Sequence, residues 1–220
     1  MKIRVVQNVL RANDAIAAAN REQFGKLGLP VLNFISAPGS GKTALLERTL
    51  EHLKAKRCAV LVGDLATSRD AERLGRHCEN VVQINTGKGC HLDAAQIEAG
   101  LRSIPVDRLD WLFIENVGNM VCPVDFDLGE HGKVALISTV EGEDKPVKYP
   151  TLFQKATVVV LTKVDLAAVS GFDREQFYRE LRQVNSEVQV IEVSSRTGEG
   201  FEDWLGWLER FAAGIKNPRA

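Results

Sequence analysis

Cysteine, net charge and long apolar runs are all scarce in this chain of 220 residues. The chain has four cysteines at irregular positions, which does not suit the disulfide framework of a small secreted domain. Its formal net charge is −1, so the charge balance gives no reason to expect binding to nucleic acid or to a membrane surface. Apolar runs stay well short of the roughly 20 residues that span a bilayer. We therefore expect a cytoplasmic protein with neither nucleic acid nor membrane as its partner.

Short β-branched apolar runs alternate with longer amphipathic segments along the chain. The predicted strands cover residues 31–36, 58–63, 81–84, 111–116, 134–139, 157–162 and 188–193. The predicted helices cover residues 6–26, 42–55, 68–78, 91–103, 147–155, 173–184 and 201–213. This alternation is typical of an α/β fold in which helices cover both faces of a mostly parallel sheet. We expect a doubly wound sheet of about seven strands in a single domain over 1–220, with 1–29 as an N-terminal helical extension packed on it.

A glycine-rich segment, SAPGSGKT at 36–43, lies between the first strong strand and a helix. It matches the phosphate-loop pattern G-x-x-x-x-G-K-S/T except at its first position, where serine replaces glycine. Backbone N–H groups of such a loop bind phosphate, aided by the positive end of the helix. Lys42 would reach the β and γ phosphates, and the Thr43 hydroxyl would bind Mg²⁺. The segment predicts a P-loop NTPase, with nucleotide contacts from Gly39, Ser40, Gly41, Lys42, Thr43 and Ala44.

Two acidic residues end predicted strands at what should be the same edge of the sheet. Asp64 ends the second strand and Glu115 ends the fourth. A phosphate-loop enzyme needs a carboxylate at this edge to hold or orient Mg²⁺ through its water shell, so we expect both residues to contribute. Gly118 is placed for its N–H to sense a γ-phosphate. The sequence shows no obvious water-orienting glutamine or arginine finger, and Arg69 is a candidate finger by position alone.

The segment LTKVDL at 161–166 ends the sixth strand and predicts a preference for guanine. The Asp165 carboxylate would accept hydrogen bonds from guanine N1–H and the 2-amino group, whereas adenine would leave it desolvated and unpaired. Lys163 would lay its methylene stem over the base, and Thr162 stands where asparagine is commoner. Backbone N–H groups after the seventh strand could meet guanine O6, at Ser194, Ser195 and Arg196. The expected nucleotides are GTP and GDP, and an ATP-dependent kinase has no use for this carboxylate.

Two cysteines and a histidine fall on loops that should leave the sheet beside the phosphate loop. Cys90 and His91 follow the third predicted strand, and Cys122 follows the fourth. Because the carboxyl ends of parallel strands share one edge, we expect the three side chains to converge near the γ-phosphate. Such ligands suit Zn²⁺, Ni²⁺ or Cu⁺ and disfavour Mg²⁺ and Ca²⁺. These residues alone leave a metal site and two unrelated surface cysteines as equal alternatives.

Two further expectations concern single residues near this site. Cys90 directly precedes the predicted helix 91–103, and a helix N-terminus should lower the pKa of its thiol. His131 lies soon after Cys122 in the chain, in the segment GEHGK, and we expect a solvated loop histidine rather than a further metal ligand.

Several segments together resemble the hydrogenase nickel-incorporation GTPases, the HypB family. They are SAPGSGKT, GDLATSRDAERL, TGKGCHLDA, ENVGNMVCPVDFDLGE, EGEDKPVKYP and TKVDL, and the resemblance extends from about residue 6 to the end of the chain. It implies a maturation factor that hydrolyses GTP slowly and supplies Ni²⁺ to the hydrogenase large subunit. It also implies a small zinc-containing nickel metallochaperone as partner, and a GTP-favoured homodimer that shares a metal site at Cys90, His91 and Cys122.

Two other interpretations stay open from the sequence. The related urease accessory GTPases carry Cys-Pro-His where this chain has Gly-Cys-His-Leu, and they lack Val-Cys-Pro after the fourth strand. A nucleotide-gated binding module, in which hydrolysis only resets partner docking, agrees with the lack of an obvious arginine finger. The choice between Ni²⁺ and Zn²⁺ is also left open by these residues.

Overall fold

Seven parallel strands form one sheet in this protein. The computed structural model describes residues 6–65 and 67–216, and it describes side chains from residue 10 onward. The strands are β1 Val31–Ile35, β2 Cys58–Asp64, β3 Asn80–Asn85, β4 Trp111–Glu115, β5 Gly132–Ser138, β6 Val158–Thr162 and β7 Gln189–Val193. Their order is β3–β2–β4–β1–β5–β6–β7, and all neighbours are parallel. The predicted doubly wound parallel sheet is confirmed, and the loops after these strands leave from one edge.

The burial of the strands explains why their sequences are almost continuously apolar. Strands β1, β4 and β6 are buried at every position, as expected where helices cover both faces of a sheet. The edge strand β3 is only half-buried along most of its length. Within β1 the polar Asn33 is fully buried, so its amide needs hydrogen-bond partners inside the protein.

Ten α-helices surround the sheet in the described part of the chain. They are α1 Val6–Leu27, α2 Lys42–His52, α3 Arg69–Leu74, α4 Ala94–Leu101, α5 Cys122–Asp125, α6 Lys145–Lys148, α7 Pro150–Lys155, α8 Ala167–Ser170, α9 Arg174–Val184 and α10 Phe201–Lys216. The short helices α5 and α8 are not predicted by the sequence patterns. None of the helices in these ranges combines the length and apolar character that crossing a bilayer requires.

Helix α4 begins later than predicted, and this changes the setting of Cys90. The predicted helix 91–103 starts only at Ala94, because Asp93 caps it. The Asp93 carboxylate accepts the N–H of Gln96 at 2.8 Å, and the Gln96 side chain accepts the N–H of Asp93 at 3.0 Å. This reciprocal capping box fixes the first turn. Cys90 therefore lies in the loop before the helix and not at its first turn.

Two other predicted helices are shorter or divided. The predicted helix 68–78 ends at Leu74, so its last residues form turns before β3. The predicted helix 147–155 is split at Tyr149, because Pro150 disfavours a helical backbone in the residue before it. The resulting helices are α6 and α7.

Helix α1 is fastened to the rest of the protein through buried asparagines. The Asn13 side chain accepts the N–H of Ala94 at 2.9 Å and donates to the carbonyl of Asp127 at 2.8 Å. Asn20 donates to the carbonyl of Ala94 at 3.1 Å. Buried amides with such partners fix the position of the helix beside α4. Residues 1–5 of the predicted extension lie outside the described residues, and the division into one domain with an extension stays a prediction.

Candidate nucleotide and metal site

The phosphate loop joins β1 to α2 in a conformation that its glycines permit. Gly39 and Gly41 have φ angles of +79° and +97°, a region that favours glycine. The Lys42 ammonium is buried and donates to the Ser36 hydroxyl at 2.9 Å. Serine at the first position of the motif thus binds the lysine, which the sequence pattern did not foresee. Burial lowers the pKa of Lys42, while nearby Glu115 acts in the opposite direction.

A cavity of about 460 Å³ opens in front of this loop. The loops after β1, β2 and β4 line it, together with the start of α3, and it contains the side chains of Asp64 and Glu115. Gly118 lies directly against the phosphate loop, because a Cβ added to it would come within 3.0 Å of Pro38. A side chain at this position would require the two loops to move apart by a few tenths of an ångström. The structure therefore brings the predicted phosphate and acidic residues to one cavity.

Glu115 is the most deeply buried acidic residue of the cavity, with 3% of its surface exposed. Its Oε1 accepts the Thr43 hydroxyl at 2.7 Å, and its buried Oε2 has no hydrogen-bond partner among the described residues. Burial raises the pKa of Glu115 to about 7, although Lys42 lowers it in part. A hydroxyl and an orphaned carboxylate oxygen fit the oxygen ligands that Mg²⁺ requires.

Asp64 lines the same cavity but also forms the turn that follows β2. Its carboxylate accepts the N–H groups of Leu65 at 2.7 Å and Thr67 at 3.1 Å, and the Thr67 hydroxyl at 2.5 Å. Partial burial acts to raise the pKa of Asp64, but these hydrogen bonds outweigh it and lower the pKa. The side chain is thus held ionised at the edge of the cavity.

Two charged residues of the cavity on α3 were missed by the sequence analysis. Asp70 and Arg73 line the cavity, whereas the candidate finger Arg69 is exposed and does not. Arg73 is held by Glu47 through bonds of 2.9 and 2.5 Å. The i, i+3 spacing of Asp70 and Arg73 on one helix face was the signal that could have found them. The face of helix α3 that carries Asp70 and Arg73 points toward the cavity, and Arg69 lies outside that face.

Glu141 was also missed, although it holds the phosphate loop from the other side. It follows β5 and accepts the Ser40 hydroxyl at 2.9 Å and the N–H of Ser138 at 2.7 Å. The carboxylate therefore connects the loop after β5 to the phosphate loop.

The predicted base-reading segment also contacts the phosphate loop. The Thr162 hydroxyl donates to the carbonyl of Ser40 at 2.6 Å. Lys163 adopts φ +56°, and its ammonium donates to the carbonyl of Gly39 at 2.7 Å. Asp165 follows in a short 3₁₀ turn and is half-exposed. Thr162 and Lys163 thus bind the phosphate loop, and Asp165 lies two residues further along the chain.

The loop after β7 agrees with the prediction only in part. Ser194 is buried, and its N–H donates to the carbonyl of Glu199 at 2.9 Å. This N–H is therefore engaged within its own turn, which leaves the predicted contact with guanine O6 to the N–H groups of Ser195 and Arg196.

Cys90, His91 and Cys122 come together as predicted. One ligand atom from each lies within 4.8 Å of the others, and all three residues are half-buried. The Asn119 side chain donates to the Cys90 carbonyl at 3.3 Å, and the His91 ring stacks on Phe126 with centroids 3.7 Å apart. These contacts hold the loops after β3 and β4 against each other. Two sulfurs and an imidazole form a donor set suited to Ni²⁺ or Zn²⁺.

The pKa expectation for Cys90 is wrong. Its Sγ lies 3.5 Å from His91 Nδ1, and the neighbouring Cys122 thiol raises the pKa of Cys90, with no helix N-terminus to offset this. Burial lowers the pKa of His91, which favours the neutral imidazole that ligates metals. His131 is not a solvated loop residue either: it is half-buried, its Nδ1 accepts the N–H of Val31 at 3.3 Å, and it lies outside the metal-ligating group.

Comparison with known proteins gives a consistent result. The nucleotide-binding domain model of CobW/HypB/UreG matches residues 30–192. The hydrogenase maturation factor HypB of Azotobacter vinelandii is 50% identical over 209 residues, which cover 94% of this chain and 69% of that protein. The crystal structure of HypB from Helicobacter pylori in complex with nickel superposes with a TM-score of 0.87 at 39% identity, over 92% of this chain and 95% of that one. The Helicobacter pylori hydrogenase/urease maturation factor HypB is 39% identical over 94% of this chain and 86% of its own length.

Proposed function

This chain belongs to the HypB hydrogenase maturation factors of the CobW/HypB/UreG family, and from that membership we propose that it is a GTPase that delivers nickel to the hydrogenase large subunit. Family membership makes it a nucleotide-hydrolysing P-loop protein. The observation that supports the rest of the proposal is that a single loop joins the two sites. This loop begins at Glu115 in the nucleotide cavity and leads to Cys122 in the metal-ligating group. Nickel is the cargo of this protein, bound and then passed on.

Guanine selection is assigned to Asp165, with Lys163 covering the base and the N–H groups of Ser195 and Arg196 at its O6. The half-exposed position of Asp165, close to a phosphate loop that Thr162 and Lys163 hold, supports this assignment. An adenine in the same place would desolvate the carboxylate without giving it a donor.

Hydrolysis is assigned to the phosphate loop and the acidic residues of the cavity. Lys42 would neutralise charge on the β and γ phosphates, and the N–H of Gly118 would contact the γ-phosphate. Mg²⁺ would be held by Thr43 and Glu115, with Asp64 acting through its water shell. When bound, it would supply further neutralisation of the developing phosphate charge. We expect slow intrinsic turnover, because the described residues that line the cavity include no glutamine and their arginine is paired with Glu47.

The metal site is proposed to be completed between two copies of the chain. Cys90, His91 and Cys122 supply three ligands, one fewer than a tetrahedral ion takes. Val121, directly before Cys122, exposes 60% of its surface, and Leu65, directly after Asp64, exposes 47%. Apolar side chains so placed support a homodimer whose contact runs past both sites and forms when GTP is bound. The free thiols suit a reducing compartment, so we place the protein in the cytoplasm.

The switch itself is proposed to work by linkage. GTP and Mg²⁺ would order the loops after Asp64 and Glu115, and the second loop carries Cys122, so the nucleotide state would change metal affinity. Metal must then change nucleotide affinity by the same factor. The partners of this cycle are a small nickel and zinc metallochaperone as donor and the hydrogenase large subunit as acceptor. A urease-directed role is a second candidate, favoured by the double role in the name of the Helicobacter pylori relative.

The test is a titration of the purified, metal-free protein with Ni²⁺ and with Zn²⁺ in the GDP state and in a nonhydrolysable GTP-analogue state. Molecular mass in solution is measured on the same samples, and hydrolysis is measured on parallel samples of each metal state that contain GTP and Mg²⁺. We expect tighter metal binding and a dimer with the analogue, and hydrolysis in all metal states. Equal affinities in both nucleotide states contradict the switch, and absence of hydrolysis favours a binding module. Transfer of bound nickel to purified hydrogenase large subunit and to urease apoprotein separates the two candidate recipients.

A further inference from the structure

Leu92 occupies the space between the metal-ligating group and the nucleotide cavity. It directly follows His91 in the chain, and its side chain is fully buried. Its backbone N–H donates to the side-chain carbonyl of Asn116 at 3.2 Å, and Asn116 directly follows Glu115. One residue thus connects a metal ligand to a residue adjacent to a predicted Mg²⁺ ligand.

The Leu92 side chain makes a second connection of the same kind. It packs so closely on Gly63 that a Cβ added there would lie 2.7 Å from Cγ and 2.8 and 2.9 Å from the two methyl carbons of Leu92. Gly63 directly precedes Asp64 and has an ordinary backbone conformation, since it is not among the glycines of positive φ. The glycine is therefore required by this packing and not by its backbone angles.

Asn116 is held rigidly on its other side. Its carbonyl oxygen also accepts the N–H of Val117 at 3.0 Å, and its amide group donates to Asn33 at 3.1 Å. The Asn33 amide group donates to Glu130 at 3.1 Å, and Glu130 pairs with Lys133. This chain of buried polar contacts crosses the sheet from β4 to β5. It fixes the carbonyl to which Leu92 is bound.

We propose that Gly63, Leu92 and Asn116 are the positioning residues that couple the metal site to the nucleotide site. The inference rests on the proposed function, because it specifies how metal and GTP affect each other. A shift of His91 on metal binding must move Leu92, and a close-packed interior transmits such a shift rather than absorbing it. Leu92 would then displace Gly63 and the bond to Asn116, and with them the residues next to Asp64 and Glu115. Gly63 and Asn116 line the nucleotide cavity, whereas Leu92 does not.

The quantity that tests the inference is the coupling ratio, defined as the Ni²⁺ dissociation constant with GDP divided by that with a nonhydrolysable GTP analogue. Coupled sites commonly show factors of about 5 to 150. In Leu92→Ala we expect the ratio to fall to within about twofold of one, while the metal-free protein still binds GDP. Leu101→Ala is the matched control, because it removes the same atoms from the same apolar cluster away from both sites. The control should keep the wild-type ratio.

Gly63→Ala supplies an independent variant that keeps every native side chain. The added methyl must displace Leu92, so the coupling ratio should fall as well. In the double variant with Leu92→Ala the methyl has room, so the loss of thermal stability that Gly63→Ala causes on its own should largely vanish, as expected for two groups in direct contact.

The outcomes separate this inference from the function on which it rests. A wild-type ratio of one overturns the proposed switch and the coupling residues with it. A wild-type ratio above fivefold that persists in Leu92→Ala and in Gly63→Ala overturns the coupling residues alone. An equal loss in Leu101→Ala shows that general loosening of the core is responsible and also overturns the inference. Thermal unfolding of each metal-free variant identifies any protein that has not folded. If Leu92→Ala is such a protein, the coupling ratio of Gly63→Ala decides the test.

Discussion

The Thr162 hydroxyl donates a hydrogen bond of 2.6 Å to the backbone carbonyl of Ser40, which lies 122 residues earlier in the chain. The bond connects the predicted guanine-reading segment to the phosphate loop. Asparagine is commoner at this position, and in this chain the threonine hydroxyl makes the contact. The base-reading residues and the phosphate-binding residues are therefore fixed relative to each other by a buried contact.

Replacement of this threonine by valine should weaken nucleotide binding without changing base preference. Thr162→Val retains the shape of the side chain but leaves the Ser40 carbonyl without its donor, at a cost of about 1 kcal/mol of folding free energy. We expect the denaturation midpoint to fall. The affinities for GTP and GDP, measured by fluorescence titration, should fall together by up to about fivefold, the factor that corresponds to this whole cost. Thr162→Ser retains the hydroxyl and serves as the control. A valine variant with altered selectivity between GTP and XTP contradicts the structural role.

The base preference itself should change in Asp165→Asn. The amide can accept one hydrogen bond but opposes the guanine donors with its own NH₂ group. Two charge-assisted bonds of about 1.5 kcal/mol each predict a loss of about 100-fold in GTP affinity. XTP carries the complementary pattern, and its affinity should rise. The control is Asp173→Asn, at the N-cap of α9, where asparagine caps as well as aspartate does. Unchanged selectivity in Asp165→Asn contradicts the assignment of the guanine site.

Much of the fold could be predicted because its signals are local. The strands are buried apolar runs such as 158–162, and their alternation with helices along the chain predicts a parallel sheet. Helix limits depend on single side chains. The capping of α4 by Asp93 and Gln96 is visible in the sequence as a capping-box pattern, yet the apolar periodicity extended past it. The break at Tyr149 had a similar local signal in Pro150.

Only those site residues could be predicted that a sequence motif places at the carboxyl end of a strand. Cys90 and Cys122 were placed together correctly, because parallel topology determines where loops leave the sheet. The i, i+3 spacing places Arg73 on one helix face with Asp70, but the rotation of α3 decides which face meets the cavity, and that rotation depends on packing. The contact of Leu92 with Gly63 and the partner of buried Asn33 arise from packing between distant segments. Such contacts follow from the assembled core and not from a local pattern.

Glu115 should give the metal-free, nucleotide-free protein a distinctive pH dependence. Burial raises the pKa of Glu115 to about 7 in the folded state, above its ordinary value of 4.5. The folded state then binds more protons than the unfolded state between these values, so its stability falls as pH rises through this window and levels off above it. The loss attributable to this group is about 3 kcal/mol.

Glu115→Gln tests directly whether stability falls as pH rises, because the amide does not titrate. We expect denaturation midpoints of the wild type to fall relative to those of the variant between pH 5 and pH 8, a window that spans the pKa shift. Glu98→Gln, on the exposed side of α4, controls for loss of a negative charge. Parallel pH profiles for wild type and Glu115→Gln exclude a raised pKa. Addition of Mg²⁺ with GDP should reduce the wild-type slope, since a bound cation favours the ionised carboxylate.

Cys122→Ala should separate metal binding from nucleotide binding. The substitution removes one of the three ligands, but it leaves the cavity around Thr43 and Glu115 intact. Loss of a ligand should weaken binding of Ni²⁺ and Zn²⁺ by at least about 100-fold, because loss of a group that only orients a ligand can already cost about that much. GTP affinity of the metal-free protein should stay within about twofold of wild type. Cys78→Ala, a buried thiol in the core, is the control and should retain metal affinity. If Ni²⁺ binds Cys122→Ala as tightly as wild type, the ion is held elsewhere, and the loop that leaves Glu115 does not connect the two sites.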